Sequence, residues 1–306
     1  MFKAHLDNEI WLVQQPHHAQ VSGFLAAHWG GRNGFARPGH YPGATEPARW
    51  QDEVVLGIAE HDNGWWETEA MPRISEQDGL PVGIGEAAKP TAENEFTPWL
   101  TGGFDRWRNG IHRIAGPHPY GALLISLHAY WLYAVAFEDL LPSDGDHHRH
   151  FVFGAAEVAA GLVGDESKTR AFLQEQAELQ TELKERLSHD PVMARAIEPE
   201  HLAPHLRLLQ LMDSMSLFLA LNDLDEHELP GVPRGSWNDR CTITWTRRDA
   251  RTIVLDPYPF DVDALRVSMH TRVVPTHELE RGGPPLTRLH GAPLQSIEFT
   301  FVSRDS

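Results

Sequence analysis

The chain has 306 residues, of which 41% are hydrophobic and 23% charged, an ordinary balance with ample material for a core. Its formal charge of −17 argues against a nucleic-acid backbone as partner, because phosphate contacts need clustered Lys and Arg. The single cysteine, Cys241, excludes an internal disulfide and any Cys-rich zinc site, so a metal site here has to be built from His, Asp and Glu.

In chain order, EIWLVQQ at 9–15 reads as a short strand, and Pro16 opens a helix through about Trp29. The Gly/Pro-rich segment GGRNGFARPGHYPG follows as a loop, and a second helix runs from about Ala48 to Asp62. Residues 67–98, rich in Pro, Gly and Glu, read as a long irregular loop. Helices are expected at about 98–115, 119–138, 151–163, 166–188 and 200–222. From residue 236 the texture changes: CTITWT, RTIVLD, LRVSMHTRVV and LQSIEFTFV carry β-branched and aromatic residues between turn signals, which argues for about four strands. No run of about 18 apolar residues occurs, so no membrane span is expected. The opening MFKAHLDNEIWLV lacks the apolar core of a signal peptide, and a cytoplasmic address is expected.

Helical periodicity then places polar residues on apolar faces. Trp50, Val54 and Ile58 form a stripe that ends in His61 and Asp62. His18 shares a face with Val21, Ser22, Leu25 and Trp29, and His128 shares one with Leu124, Trp131 and Val135. Asp213 falls in the middle of the stripe Leu206, Leu209, Leu217 and Ala220, where an unpaired carboxylate is expensive. Imidazoles and carboxylates aimed inward from several helices suit one or two divalent ions: Mn, Fe, Zn, Ni or Co, with Mg compatible if carboxylate dominates. Trp65 and Trp66 are expected to line the pocket beside the His-Asp pair. The cluster DGDHHRH at 144–150, in a Gly/Asp loop, reads as solvated. His189-Asp190, just before a proline, reads as a helix exit without a metal role.

The segment GIAEHDNG resembles the His-Asp segment of HD-domain metalloproteins. His18, then His61-Asp62, then Asp213 in LLQLMDSMSLFL match that family's ligand order. The words QQPHHAQVSG, EHDNGWW, LISLHAYWLY and LMDSMSL also resemble a bacterial family known only as a domain of unknown function. The HD resemblance implies a mainly α fold, an HD-like helical bundle at 1–228, to which the strand pattern adds a small C-terminal antiparallel β appendage at 236–306 that a minimal HD core lacks. It further implies a metal-dependent hydrolase acting on a phosphoester of a small molecule, with His18, His61, Asp62 and Asp213 holding the ion. Asp62 would orient the water, and His128 would bind a second ion or contact the substrate. Specificity would come from the 67–98 loop, including Arg73. A di-iron oxygenase on an HD-like scaffold and a non-catalytic ligand-binding module are the alternatives. Neither nucleic acid nor membrane is expected as a partner, and a homo-oligomer is compatible with the sequence.

Overall fold

The computed structural model describes residues 1–83, 98–142, 149–162, 164–279 and 285–305. Its helices are α1 (Gln15–Ala27), α2 (Pro47–Ala59), α3 (Trp66–Ala70), α4 (Pro98–Ala115), α5 (Pro119–Ala134), α6 (Ala155–Gly161), α7 (Glu166–Ser188), α8 (Pro199–Ala220), α9 (Thr276–Leu279) and α10 (Pro285–Gly291). Proline in the first turn opens α1, α2, α5 and α8. Its fixed φ suits that position, and its missing N–H is one that no helix could pair. The strands are β1 (Phe2–His5), β2 (Glu9–Val13), β3 (His227–Ser236), β4 (Asp239–Arg247), β5 (Thr252–Asp256), β6 (Ala264–Pro275) and β7 (Leu294–Ser303).

These strands form one sheet in the order β1-β2-β6-β7-β5-β4-β3. β5 and β7 run parallel and the other neighbours antiparallel. The expectation of a mainly α protein with a small antiparallel β appendage is therefore wrong. The fold is mixed, 46% helix and 22% strand, and its sheet is large and curled like half a barrel. Two features hid this. β1 and β2 are short, and they join the sheet by pairing β2 with β6 across most of the chain. β3 carries Pro230 and Pro233 and shifts register twice against β4, which an edge strand tolerates and a sequence reading takes for a loop.

One core joins sheet and helices. Trp11 packs edge-on against Phe299 and Trp245 against Phe301, while α1 lies on β6 and α8 on β3 and β1. Trp11, Trp29, Trp50 and Trp245 are fully buried. Burying each large apolar side chain contributes roughly 1.5–3 kcal/mol. Small residues bring the helices together. A Cβ on Gly23 would lie 2.4 Å from Ala59 Cβ, and one on Gly57 would lie 2.9 Å from Gly121 Cα. Thus α1 touches α2 and α2 touches α5 almost backbone to backbone. Longer side chains at these crossings would push apart the three helices that carry His18, His61 and His128.

Candidate metal centre

Those helices and α8 aim their polar residues at one point. His18 comes from the first turns of α1, His128 from the middle of α5 and Asp213 from the middle of α8. His61 and Asp62 stand just past the end of α2, where the Glu60 N–H still bonds to Leu56. The following turn is fixed by Asn63, whose side chain donates to the carbonyls of Glu60 (2.8 Å) and Gly110 (3.2 Å). Arg113 donates to the Asn63 carbonyl at 2.7 Å. Gly64 then sits on α4 so closely that a Cβ would lie 1.9 Å from the Arg106 carbonyl oxygen. The turn Asn-Gly is thus a packing device that holds the His-Asp pair in place.

The residues are 1–5% exposed and their ligand atoms crowd together. His18 Nε2 lies 2.9 Å from Asp62 Oδ2, and His61 Nε2 lies 3.5 Å from Asp213 Oδ1 and 3.9 Å from Asp62 Oδ2. His128 Nε2 is 3.2 Å from Asp213 Oδ2. His18, His61 and Asp62 form one set with ligand atoms within 4.8 Å of one another, and His61, His128 and Asp213 form a second. A divalent ion about 2.0–2.2 Å from each ligand would separate its ligands by roughly 3–4 Å.

Hydrogen positions assigned from the network sharpen this. His61 Nδ1 meets the Ile58 carbonyl at 2.8 Å, an acceptor, so Nδ1 carries a proton. In neutral His61 the Nε2 lone pair then faces the two carboxylates. His18 Nδ1 meets Ser216 Oγ at 2.8 Å, and that hydroxyl donates to the Asp213 carbonyl. His18 Nδ1 is therefore the donor, and in a neutral His18 the Nε2 lone pair would face Asp62 Oδ2, 2.9 Å away. Lone pairs set against carboxylate oxygens repel unless a cation lies between them. His61 Nε2, both nitrogens of His128 and Asp213 Oδ1 indeed have no hydrogen-bond partner although they are buried. Buried polar atoms are rarely left this way. The donor set fits an ion.

Electrostatics agree. Burial acts to lower the His61 pKa, but Asp62 and Asp213 overcome it and raise the value to about 9. Burial acts to raise Asp213, and the facing imidazoles hold its carboxyl well below the usual range instead. His128 is pushed down to about 4, chiefly by burial. Without an ion, the proton on His61 supplies the positive charge that two buried carboxylates require.

The solvated reading of 144–150 fails at its last residue. His150 is buried, and its Nε2 lies 3.0 Å from Asp213 Oδ2. Its Nδ1 accepts the backbone N–H groups of Val152 and Phe153, so Nε2 holds the proton and donates it to Asp213. His150 thus fixes the orientation of Asp213, as outer partners of metal sites do for ligands. No periodic signal marks it, because it lies outside any helix. Arg207 fixes this stretch by donating to the Arg149 carbonyl at 2.8 Å and lying 3.7 Å over the Phe151 ring. Residues 143–148 lie outside the described residues.

A cavity of about 50 Å³ opens beside the cluster, room for roughly three or four waters. His18, Asp62, His128 and Asp213 share its wall with Phe2, Trp65, Trp107, Tyr133 and Phe153, and no Lys or Arg is among the described lining residues. Trp65 is where the sequence puts it. Trp66 is not: it turns outward, its ring edge-on to His17. Arg73 is exposed and does not line the cavity, and residues 84–97 of the expected specificity loop lie outside the described residues.

A family model described as "Protein of unknown function (DUF3891)" matches residues 1–276. No curated protein and no solved structure matches the chain. Among the described residues, no helix is long and apolar enough to cross a membrane.

Proposed function

Because the chain belongs to the DUF3891 family, whose description assigns no activity, we propose a function from the site itself: a metal-dependent hydrolase of HD type, acting on a phosphoester of a small apolar or aromatic molecule. The observation that carries it is the convergence of the His18 and His61 Nε2 atoms, whose Nδ1 atoms are already hydrogen-bonded, on two buried carboxylates. His18, His61, Asp62 and Asp213 would hold the ion, with His128 Nε2 as a further ligand. Three imidazoles favour Mn, Fe, Co, Ni or Zn over Mg. An ion so held supplies Lewis acidity, acidifying a water and polarising the scissile bond.

The chain's own groups do the rest. Asp62, which lines the cavity, would orient the attacking water and take its proton. His150 and Ser216 keep Asp213 and His18 in one tautomeric arrangement. Trp65, Trp107, Tyr133 and Phe153 exclude bulk water and receive the apolar body of the substrate. The phosphoester class comes from the likeness in ligand order to HD hydrolases, and the apolar body from the cavity wall.

One ion is favoured over two. His61 belongs to both candidate sets, yet it has only Nε2 to give, since Nδ1 is bound to Ile58. The inward histidines His128 and His150 supply the specific argument for the di-iron oxygenase reading. The proton that His150 gives to Asp213 counts against it. The test is hydrolysis of p-nitrophenyl phosphate and its bis ester by protein loaded with Mn, Fe, Co, Ni or Zn, with and without oxygen. Turnover without oxygen that Asp62→Asn abolishes supports the hydrolase. Oxygen consumption only when iron-loaded would replace it with the oxygenase. Tight ion binding with neither activity would leave a ligand-binding module.

A further inference from the structure

A second cavity, of about 210 Å³, lies between α1 and β6 and shares no lining residue with the cavity beside the metal cluster. β2 pairs with β6 only from Arg272 to Pro275. Upstream of that the β6 edge has no strand partner among the described residues, and α1 packs beside it instead. The groove between them is walled by His17, Gln20, Val21 and Phe24 of α1 and by Arg266, Val267, Ser268 and His270 of β6. Arg266, Ser268 and His270 alternate along the strand, so all three stand on one exposed face.

This lining carries cationic and neutral polar groups and no carboxylate, in a chain with a net charge of −17. Arg266 and His270 form no ion pair among the described residues. His17 Nδ1 has no hydrogen-bond partner, and its ring lies 5.9 Å from that of His270. Arg272, beyond the groove's end, adds positive charge near His17 and is tied to the Ala292 carbonyl. The carboxylate nearest in register, Glu298, stands opposite Ser268 on β7 without an ion pair to either neighbour. Phe24 is 43% exposed on the helical wall, an apolar surface left in water in the same groove as the Arg266 guanidinium.

We infer that this groove is a binding site for a small oxyanion carried on a flat apolar body. Arg266, with its planar fork of donors, and His270 would hold the anion, Ser268 would add a hydroxyl, and Phe24 would receive the body. The walls limit the size. Residues 266–270 of a strand span about 13 Å and residues 17–24 of a helix about 10 Å, which fits one small molecule and not an extended chain. The inference does not depend on the metal centre, with whose cavity the groove shares no lining residue.

The test is titration calorimetry of the full chain with inorganic phosphate, phenyl phosphate and benzoate. Saturable binding at one site per chain is expected, with phenyl phosphate several-fold tighter than phosphate. A tighter benzoate would assign the natural anion to the carboxylates and a tighter phenyl phosphate to the phosphates, both within the inference. Arg266→Ala and His270→Ala should each weaken binding by about tenfold or more. Phe24→Ala should erase the advantage of the phenyl group alone. Ser268→Asp, a change at an exposed position that leaves the core intact, should abolish binding without lowering the melting temperature. Absence of saturable binding by all three probes overturns the inference. So does phosphate binding that these variants leave unchanged, since the anion would then sit elsewhere, on the metal centre for example.

Discussion

Loading the metal-free protein with zinc or cobalt at pH 7 is expected to release nearly one proton per ion. The proton is the one on His61, whose pKa is raised to about 9, so the group is almost fully protonated at pH 7 while a metal ligand must offer its lone pair. Release should fall to half a proton near pH 9, and the apparent affinity should weaken about tenfold per pH unit below that. The same shift, from 6.5 to about 9, corresponds to roughly 3 kcal/mol. Its sign is definite. A pKa raised by folding stabilises the metal-free protein fully below pH 6.5, and that stability drains away as pH rises through 9. Chelated protein should therefore lose denaturant resistance between pH 6.5 and 9, and metal-loaded protein should not. Calorimetry in buffers of different ionisation enthalpy counts the protons, and urea unfolding measures the stability. An ion that binds at pH 7 without proton release, with affinity flat from pH 6 to 9, would refute the assignment of His61 Nε2 as its ligand.

Asp213→Asn should lower metal affinity by more than a hundredfold, whereas Asp190→Ala, which removes a pair with Arg49 and a bond from the Val192 N–H away from the cluster, should leave it unchanged; equal affinities in equilibrium dialysis would make Asp213 a structural acid. His128→Ala should weaken binding while wild type and variant both titrate to one ion, and a wild-type stoichiometry of two by elemental analysis would overturn the single-ion reading. Gly64→Ala forces a methyl into the Arg106 carbonyl; a cost of about 1–3 kcal/mol or more is expected in thermal unfolding, with loss of metal, and unaltered melting would show that the turn is free to shift. His205, held down to about 3 by burial and then by His201, accepts the Gly39 N–H at 3.0 Å. Its depressed pKa gives stability that is whole above pH 6.5 and falls by up to about 1.4 kcal/mol per unit as pH drops toward 3; a His205→Gln variant with the same acid slope would remove His205 as the cause.

The sequence made the inward residues readable because helical spacing is a local signal. His18, Asp213 and His128 each sit on an apolar stripe, and each is buried where that stripe points. What escaped was set by partners far away. β1 and β2 look like isolated scraps until β6 gives β2 a partner. His150 has no stripe of its own, and two backbone N–H groups with Arg207 decide where it faces. Adjacent Trp65 and Trp66 could not be told apart by composition, since a 3-10 turn meets a helix between them and sends their rings in opposite directions.

The pairing of β2 with β6 also sets the order in which the molecule can be made. β2 leads within two residues into α1, which carries His18, and β1 brings Phe2 edge-on to the His18 ring at 4.8 Å. Yet β2 finds its partner strand only when Arg272–Pro275 exist. During synthesis the first two strands and the helix behind them must wait for nearly the whole chain to emerge, with an unpaired strand edge exposed meanwhile. Contacts so distant in sequence form late, after local helices such as α7 and α8. The residues that begin the candidate metal centre would then be among the last to take their places, so capture of an ion there would report that the final strands have closed.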